Sequence, residues 1–387
     1  MSLTNTRGYY PAEEITLVHS GSDYFERVCE LTKAAKSEIH FHNYIFHPDE
    51  TGRFVADAFI EAAHRGVKIY ILLDSFGSAR LRNSEMLKEM KDAGISVRFF
   101  SPYYITSGFR VGRRMHQKVF VVDGAYGIVS GINVSNDYRG TESEMAWLDY
   151  GVFIRGEVCR ILVNICLQLE NNRFTSNRVK LELGAANGKP LVRFRQSDYL
   201  RNKRQISRAY TVALQEARKE ILIINAYFLP GTRLRALLAA ARKRGVKITI
   251  VLSAKSDVPI VKRAMNWYYD WLIRNNIHLS EYDDTNVHAK AALFDGELTI
   301  IGSYNLNNLS EYMSVELNAD IRDAKFAAAF KSELEQVMAK SIPVDAAALK
   351  KRVWSNRLLN YASYRLLSWS MRMMYLATRK DRVNQLE

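Results

Sequence analysis

The sequence HQKVFVVD at residues 116–123 is matched by the sequence HAKAALFD at residues 288–295. In both stretches a lysine stands two residues after the histidine, and an aspartate stands five residues after the lysine. Ten residues after the aspartate comes an asparagine, Asn133 or Asn305, preceded by a glycine and a serine in either order. Because alternate residues of a strand share a face, each histidine and its lysine are predicted to project from the same side. The doubled pattern predicts two equivalent half-sites.

The regions around these two stretches also match each other. EIHFHNYIFHP at 38–48 corresponds to EILIINAYFLP at 220–230 with an offset of 182 residues. RGVKI at 65–69 returns at 244–248 with an offset of 179, and the offset of the histidine pattern is 172. A gradual drift of this kind is what different loop lengths in two copies would produce. We therefore predict two similar domains.

Within each copy, predicted helices alternate with short apolar strands. One such unit runs from a helix at 54–64, through Gly66 as its C-terminal cap, into an apolar strand at 67–73. This alternation is typical of an α/β sandwich. The predicted parts of the chain are a first domain at 7–170, a linker at 171–190, a second domain at 191–342 and a C-terminal segment at 343–387.

The composition limits the class of protein and of partner. The chain has 387 residues, 48% of them hydrophobic, which excludes a disordered or fibrous protein. With 55 lysines and arginines against 41 acidic residues the net charge is +14, which favours nucleic acid or an anionic membrane surface as partner. Three scattered cysteines indicate a reducing compartment. We expect neither a secretory signal nor a membrane-spanning helix.

The residue types in the repeated pattern suit chemistry at a phosphodiester. An imidazole can attack phosphorus to form a covalent phosphohistidine, while a second imidazole protonates the leaving oxygen. Lysine and asparagine side chains would stabilise the charge on the non-bridging oxygens. No metalloprotease, paired-cysteine or calcium-loop pattern occurs, so we expect neither a metal nor a cofactor. Asp123 and Asp295 stand at predicted turns and are equally compatible with a purely structural role.

The doubled pattern resembles the signature of the phospholipase D superfamily, over roughly residues 15–340. Within it the chain is most similar to bacterial cardiolipin synthases that lack N-terminal membrane spans. The peptides that carry this closer resemblance are 113–116, 225–231 and 302–306, with support from 74–78 and 257–261. The resemblance implies two similar α/β/α sandwich domains in a bilobal α/β fold, with both motifs meeting in one active site between them. The catalytic residues that it implies are His116, Lys118, Asp123, His288, Lys290 and Asp295.

In this superfamily the histidine of the first motif is commonly the nucleophile, which implies His116 as nucleophile and His288 as general acid and then base. The near symmetry of the two motifs leaves the reverse assignment open. Ser130 and Ser303 keep a hydroxyl near the phosphate in either order of the glycine–serine pair. The further candidates for phosphate binding or support are Asn133, Asn305, Asp149 and Glu316. The last two carboxylates are predicted to accept a hydrogen bond from Nδ1 of a catalytic histidine.

The function implied by the resemblance is that of a peripheral phosphatidyltransferase on the cytoplasmic face of the inner membrane. It would use phosphatidylglycerol as donor and acceptor, give cardiolipin and glycerol, and need no homo-oligomer, since one chain carries both half-sites. One alternative is a hydrolytic phospholipase D, or a transferase that uses another alcohol. A nuclease of the same superfamily and a non-catalytic membrane scaffold are alternatives of other classes. The C-terminal helix argues against nucleic acid as partner.

That helix is predicted from Val353 to Lys380 and has one broad apolar side edged by arginines. Such a helix is typical of an anionic membrane interface, and the alternative is a helix that caps the second domain. The candidate membrane residues are Trp354, Arg357, Arg365, Trp369 and Arg372. Aromatic residues and arginines at 99–110 suit a membrane interface, single-stranded nucleic acid or an ordinary packed loop.

His40, His42 and His47 have the residue type of a metal cluster. The second copy has Leu222, Ile224 and Leu229 at the corresponding positions. Since a metal site would hardly be half-missing from a symmetric cleft, we interpret the three histidines as structural or pocket-lining. Cys159 and Cys166 are interpreted as packing residues on a helix.

Overall fold

The structure is a computed structural model that describes residues 6–101, 104–105, 108–109, 113–170, 188–199, 201–350 and 354–383. The strands are β1 Tyr10–Pro11, β2 Glu14–His19, β3 Glu38–Asn43, β4 Lys68–Asp74, β5 Ser96–Phe100, β6 Tyr104–Ile105, β7 Gly108–Phe109, β8 Arg114–Met115, β9 Lys118–Val122, β10 Tyr126–Ser130, β11 Tyr150–Arg155, β12 Leu191–Asp198, β13 Lys203–Arg204, β14 Glu220–Asn225, β15 Lys247–Ser253, β16 His278–Tyr282, β17 Lys290–Phe294, β18 Leu298–Gly302, β19 Ser314–Arg322 and β20 Ile342–Val344.

The helices follow the same alternation along the chain. They are α1 Ser22–Ala34, α2 Glu50–His64, α3 Glu85–Asp92, α4 Asn136–Arg139, α5 Cys159–Glu170, α6 Gln205–Glu216, α7 Thr232–Lys243, α8 Pro259–Trp267, α9 Tyr269–Arg274, α10 Asn308–Tyr312, α11 Ala324–Ala339, α12 Ala346–Lys350 and α13 Trp354–Val383, with a 3-10 turn at Ala79–Leu81. Within the described residues, no helix has both the length and the apolar character needed to cross a bilayer.

Two sheets with the same strand order form the two lobes of the molecule. In the first lobe the order is β2-β11-β10-β9-β3-β4-β5. In the second lobe the order β12-β19-β18-β17-β14-β15-β16 repeats it strand for strand, and β1 and β20 extend the two edges. β3 and β14 each have a parallel neighbour on one side and an antiparallel neighbour on the other. The shared order confirms the α/β class and the repeat.

Apolar side chains form three layers across the two lobes. α1, α2 and α3 cover the outer face of the first sheet, and α6 to α9 cover the outer face of the second. The inner faces of both sheets pack together with α5 and α11 in one shared core. Each sheet therefore has helices on both faces, as the α/β/α description requires.

Two short strands from the first part of the chain pair with strands of the second sheet. β1 lies within the predicted first domain, yet it pairs with β12 of the second sheet. β8 pairs in parallel with β19 in the second lobe. Most of the predicted linker, residues 171–187, lies outside the described residues. Of these two strands, β8 joins the lobes directly before His116, and β1 joins them at the other end of the second sheet.

The local sequence explains where the elements next to the site begin and end. Asp49 caps α2, because its side chain accepts a hydrogen bond from the Gly52 N–H. Gly66 follows α2 with φ +91°, and Gly245 follows α7 with φ +87°, so both glycines end their helices as predicted. The next strands, β4 and β15, then run toward the end of each sheet at which the motif histidine stands.

Candidate active site

His116 lies where the first lobe touches the second. Its backbone N–H donates to the Val315 carbonyl at 2.9 Å, as a continuation of the pairing between β8 and β19. On the other side, the Met115 N–H donates to the buried Asp74 carboxylate at 2.8 Å. The backbone before this histidine is therefore held by both lobes.

The His116 ring is oriented by a carboxylate of the second lobe. Its Nδ1 lies 2.9 Å from Oε2 of Glu316, a fully buried side chain on β19. The Ser303 hydroxyl donates to the same oxygen at 2.5 Å. A carboxylate bound to Nδ1 fixes that nitrogen as the N–H and leaves Nε2 for chemistry.

His288 is held in the same way by the first lobe. Its N–H donates to the Leu148 carbonyl at 2.8 Å, and its Nδ1 lies 2.6 Å from Oδ2 of the buried Asp149. Lys290 Nζ contacts the same carboxylate oxygen at 3.4 Å and also donates to the His288 carbonyl. The structure thus places both predicted carboxylates at the histidines, and each partners the histidine of the opposite lobe.

The four basic groups of the site have altered proton affinities. Burial lowers the pKa of Lys118 to about 7, and the charge of Lys290 acts in the same direction. Burial also lowers the pKa of Lys290 and of His116, although the carboxylates oppose it. The pKa of His288 falls well below its usual value because of burial and the charge of Lys290. A phosphate anion among these groups would stabilise their charged forms.

The Asp149 carboxyl responds to the same burial. Burial raises its pKa to about 6, against the opposing charge of Lys290. Its other oxygen accepts the Tyr150 N–H at 2.8 Å. Close packing confines the group as well, because a Cβ added at Gly131 would lie 2.4 Å from Oδ1 of Asp149. The glycine of the first motif therefore gives space to this carboxylate.

The two motif asparagines are used differently. The Asn133 amide accepts the Ile45 N–H at 3.2 Å and donates to the Tyr138 hydroxyl at 2.8 Å. The Oδ1 atom of Asn305 is buried and has no hydrogen-bond partner among the described residues. Both asparagines line the same cavity as the histidines. Asn305 is therefore the amide that is free to bind a ligand.

Each motif serine makes its hydrogen bonds within its own lobe. Ser303 supports Glu316, as described above, and accepts the Leu317 N–H at 3.1 Å. The Ser130 hydroxyl accepts the Ile132 N–H at 3.2 Å. Neither serine is among the residues that line the cavity. Ser303 therefore supports Glu316 and the backbone beside it, Ser130 supports the backbone at Ile132, and a contact of either hydroxyl with phosphate stays a prediction.

The motif aspartates lie far from the histidines. Asp123 accepts the N–H groups of Lys36, Ser37 and Glu38 at 2.8 to 3.0 Å. Asp295 binds three N–H groups of the second lobe, at residues 218–220, in the same way. Both stand in hairpin turns with φ of 51° and 54°, five residues along the strand from the lysine, or about 16 Å. The structure does not bring them to the site, and their geometry is that of turn residues rather than catalytic groups.

A cavity of about 490 Å³ opens between the lobes and contains both histidines in its wall. Four aromatic rings that the sequence analysis did not single out surround the histidines. They are Tyr44 against His116, with Tyr138, Trp147 and Tyr227 around His288, at centroid distances of 5.0 to 6.2 Å. The sequence offered one signal: Tyr44 and Tyr227 stand one and two residues after the repeated strands that end in Asn43 and Asn225.

Helix α13 forms another part of the cavity wall. Leu367, Ser370 and Met371 line the cavity, and the helix packs along α8. The opposite side of α13 is exposed, with Leu366 at 53% and Trp369 at 62% exposure. Arg357 and Arg365 are exposed. The side chains of Trp354 and Arg372 lie outside the described residues.

The remaining candidate residues lie away from His116 and His288. Residues 102–103, 106–107 and 110–112 of the aromatic segment are outside the described part of the chain. The side chains of His40 and His42 are buried together behind the sheet, whereas His47 is half-buried elsewhere. All three cysteines are free and buried.

Comparisons with known proteins show the family and the fold of this chain. The family model described as "Cardiolipin synthase, PLD-like domain" matches residues 28–161 and 210–338, one segment in each lobe. Cardiolipin synthase B of Salmonella typhimurium is 30% identical over 368 residues, 93% of this chain and 89% of that protein. The minor cardiolipin synthase ClsB of Bacillus subtilis is 28% identical, over 90% of this chain and 89% of its own. A phosphatidylserine synthase structure from Haemophilus influenzae shares the fold with a TM-score of 0.75 at 15% identity, over 96% of this chain and 98% of that one.

Proposed function

This chain belongs to the cardiolipin synthase family of phospholipase D-like phosphatidyltransferases, and we propose that it makes cardiolipin from two molecules of phosphatidylglycerol. The observation that carries the proposal is the pair of histidines in one cavity, each bound at Nδ1 by a carboxylate of the opposite lobe. Both Nε2 atoms are then available for the same phosphodiester. The donor, the acceptor and the role of each histidine are parts of the proposal.

In the first step, Nε2 of His116 attacks the phosphorus of the donor, and a phosphorus–nitrogen bond forms. The bond to the glycerol oxygen breaks, and His288 gives its Nε2 proton to that oxygen, so glycerol leaves. Lys118 and Lys290 stabilise the negative charge of the phosphoryl oxygens. The bound phosphate supplies the charge that favours a protonated His288, whose pKa is otherwise low.

In the second step, His288 accepts the proton of the acceptor hydroxyl as that oxygen attacks phosphorus. The phosphorus–nitrogen bond breaks and His116 returns to its neutral form, so the product is cardiolipin. One histidine thus remains the covalent group and the other moves the proton in both directions. The hydroxyl of the acceptor has a candidate partner in the unpaired amide oxygen of Asn305.

The enzyme is proposed to act on an anionic phospholipid surface, on the cytoplasmic face in keeping with its three free cysteines. The support is the outward stripe of α13, whose exposed members are Leu358, Leu359, Leu366, Trp369 and Met373. The opposite side of the same helix lines the cavity, so a helix lying in the interface would bring the cavity mouth to the lipid. The net charge of +14 favours anionic lipid.

A mixed-micelle assay tests this function. Phosphatidylglycerol labelled in its headgroup is incubated with the wild type, His116→Ala, His288→Ala and, as a matched control, the exposed His64→Ala on α2. The wild type and the control are expected to give cardiolipin and free glycerol, and the other two variants neither. Vesicles of phosphatidylglycerol and of phosphatidylcholine, compared by co-sedimentation, test the preference for an anionic surface.

Two other results would replace the proposal. Phosphatidic acid with glycerol, and no cardiolipin, would identify a hydrolase. Absence of lipid turnover by a folded wild type, together with salt-sensitive binding to DNA rather than vesicles, would indicate the nuclease class.

A further inference from the structure

A second cluster of chemically active side chains is buried behind the His116 motif. His42 Nε2 lies 2.8 Å from Oε1 of Glu170, and His40 Nδ1 lies 2.9 Å from the same oxygen. The Cys166 sulfur, a ligand nitrogen of His42 and a Glu170 oxygen all lie within 4.8 Å of one another. Exposure is 0% for His42 and Cys166 and 7% for Glu170. We name these three residues the β3–α5 cluster, because they join that strand to that helix.

The fold itself does not need this polarity. On β14, the strand of the second lobe that corresponds to β3, Leu222 and Ile224 stand where β3 has His40 and His42. Those two apolar side chains are buried in the core between the sheets. Burying imidazole and carboxylate groups costs free energy unless they bind a partner. A lobe with the same strand order is thus built without them, so the strand order does not require these polar side chains.

We propose that the β3–α5 cluster binds a divalent transition metal of the zinc class through His42 Nε2, Cys166 Sγ and a Glu170 oxygen. Imidazole, thiolate and carboxylate are the ligands of zinc, and a thiolate selects against magnesium and calcium. On binding, the Cys166 thiol releases its proton to the solvent and a sulfur–metal bond forms. The thiolate and the carboxylate then balance the two charges of the metal, so a neutral unit is buried.

The surroundings of the cluster are those that metal ligands require. The Gln117 amide lies 2.8 Å from His42 Nδ1, the ring nitrogen that does not face the cluster. The amide oxygen of Gln117 is buried and has no partner among the described residues. Turned by 180°, this amide accepts the Nδ1–H that a metal on Nε2 requires. His40 donates to the carboxylate of Glu170 and orients it from the other side.

The position of Gln117 indicates what a bound metal would do for the fold. This residue stands between His116 and Lys118, and its side chain is on the opposite face of the strand. In the second motif the same place is occupied by Ala289. The metal would therefore hold in place the segment that carries His116 and Lys118, from the face opposite their side chains. It would take no part in phosphoryl transfer. The metal site would replace the interpretation of His42 as a structural or pocket-lining histidine and of Cys166 as a packing residue.

Metal content is the direct test. Tag-free protein, purified without chelators, is expected to contain about one zinc per chain by inductively coupled plasma mass spectrometry. Cys166→Ala and Glu170→Gln are expected to lose it. The matched control is Cys159→Ala, a buried cysteine on the same helix whose thiol donates to the Ile154 carbonyl, and this variant is expected to keep the metal.

Cobalt gives a second measurement that does not depend on catalysis. Chelator-stripped wild type and Cys159→Ala are expected to show thiolate-to-cobalt charge-transfer absorption, and Cys166→Ala is not. Zinc is also expected to raise the melting temperature of the stripped wild type. This measurement uses the wild type alone, so it remains valid if a variant fails to fold. A folded wild type without zinc and without the cobalt absorption would overturn the proposal. Equal metal content in Cys166→Ala would do the same.

Discussion

The two half-sites occupy equivalent places in two lobes of the same strand order, yet they hold their histidines with different chemistry. One carboxylate oxygen of Glu316 is bound by both His116 Nδ1 and the Ser303 hydroxyl. Asp149 receives His288 and the Lys290 ammonium on one oxygen. Glu316, the longer acid, accepts a hydrogen bond from Ser303. Asp149, the shorter acid, packs against Gly131 of the first motif. The repeat therefore fixes the positions of the two histidines, and the residues around the carboxylates give the two histidines different surroundings.

The largest effects are expected when either carboxylate is neutralised. Asp149→Asn and Glu316→Gln should each lower kcat by about 10³- to 10⁴-fold, because the histidine loses its fixed tautomer and the partner of its charged form. Asp149→Asn should be the more damaging, since Lys290 also loses its carboxylate. Steady-state kinetics with phosphatidylglycerol measures both.

The control for these variants is Asp320→Asn, a buried carboxylate on β19 that binds Arg195 instead of a histidine. It separates loss of the fold, followed by circular dichroism, from loss of the chemistry. If the two variants at the histidines kept a tenth of the wild-type kcat, the carboxylates would not orient the catalytic groups.

A smaller pair of effects compares the glycine with the serine. In Gly131→Ala the new Cβ would lie 2.4 Å from Oδ1 of Asp149 and displace the carboxylate, so kcat should fall about 100-fold. In Ser303→Ala, Glu316 keeps His116 and loses one hydrogen bond, so the fall should be about tenfold. Equal effects of the two changes would mean that the half-sites are supported alike.

The lysines provide a pH-dependent comparison. Lys118, with a pKa of about 7, is largely neutral at pH 8.5, and a bound phosphate should raise its pKa and bring in close to one proton. Calorimetry with inorganic phosphate in buffers of different ionisation enthalpy measures this uptake. The uptake should be smaller by close to one proton in Lys118→Met, because the other basic groups of the site still respond to phosphate, and it should be unchanged in Lys331→Met, a partly exposed lysine on α11. Uptake that is unchanged in Lys118→Met would assign the proton to another group.

The smallest effect on catalysis is expected at the motif aspartates. Asp123→Asn should leave kcat within about twofold and lower the melting temperature by a few degrees, because the carboxylate serves backbone N–H groups of its own lobe. Hydrogen bonds from Glu38, Ser37 and Lys36 outweigh burial and lower the pKa of Asp123. Its contribution to stability is therefore present above the ordinary aspartate pKa and is lost as the pH falls below it. A loss of kcat without a loss of stability would return Asp123 to the catalytic set.

Much of the fold was accessible from the sequence because the chain contains it twice. The matched segments predicted two lobes, and the strand order of the two sheets confirms the repeat. The prediction of one C-terminal helix from Val353 to Lys380 agrees with α13 at Trp354–Val383. These features depend on local patterns, which a sequence displays directly.

The pairing of carboxylates with histidines was not accessible in that way. Asp149 and Glu316 were found as candidates, but which histidine each would meet depends on how the lobes pack, a contact across 139 and 200 residues of chain. The aromatic shell of the cavity arises from the same packing. The family resemblance implied a catalytic Asp123, whereas its place at a turn left a structural role equally open, and its spacing follows from the length of the strand before that turn.

Identification of the covalent residue tests the central claim most directly. A short-chain phosphatidyl ester of p-nitrophenol needs no proton for its leaving group, so it separates the two histidines. After rapid quenching under alkaline conditions, peptide mass spectrometry should find the phosphatidyl group on His116 in the wild type and in His288→Ala. The adduct should be absent from His116→Ala. A phosphatidyl group on His288, or turnover without any histidine adduct, would contradict the account.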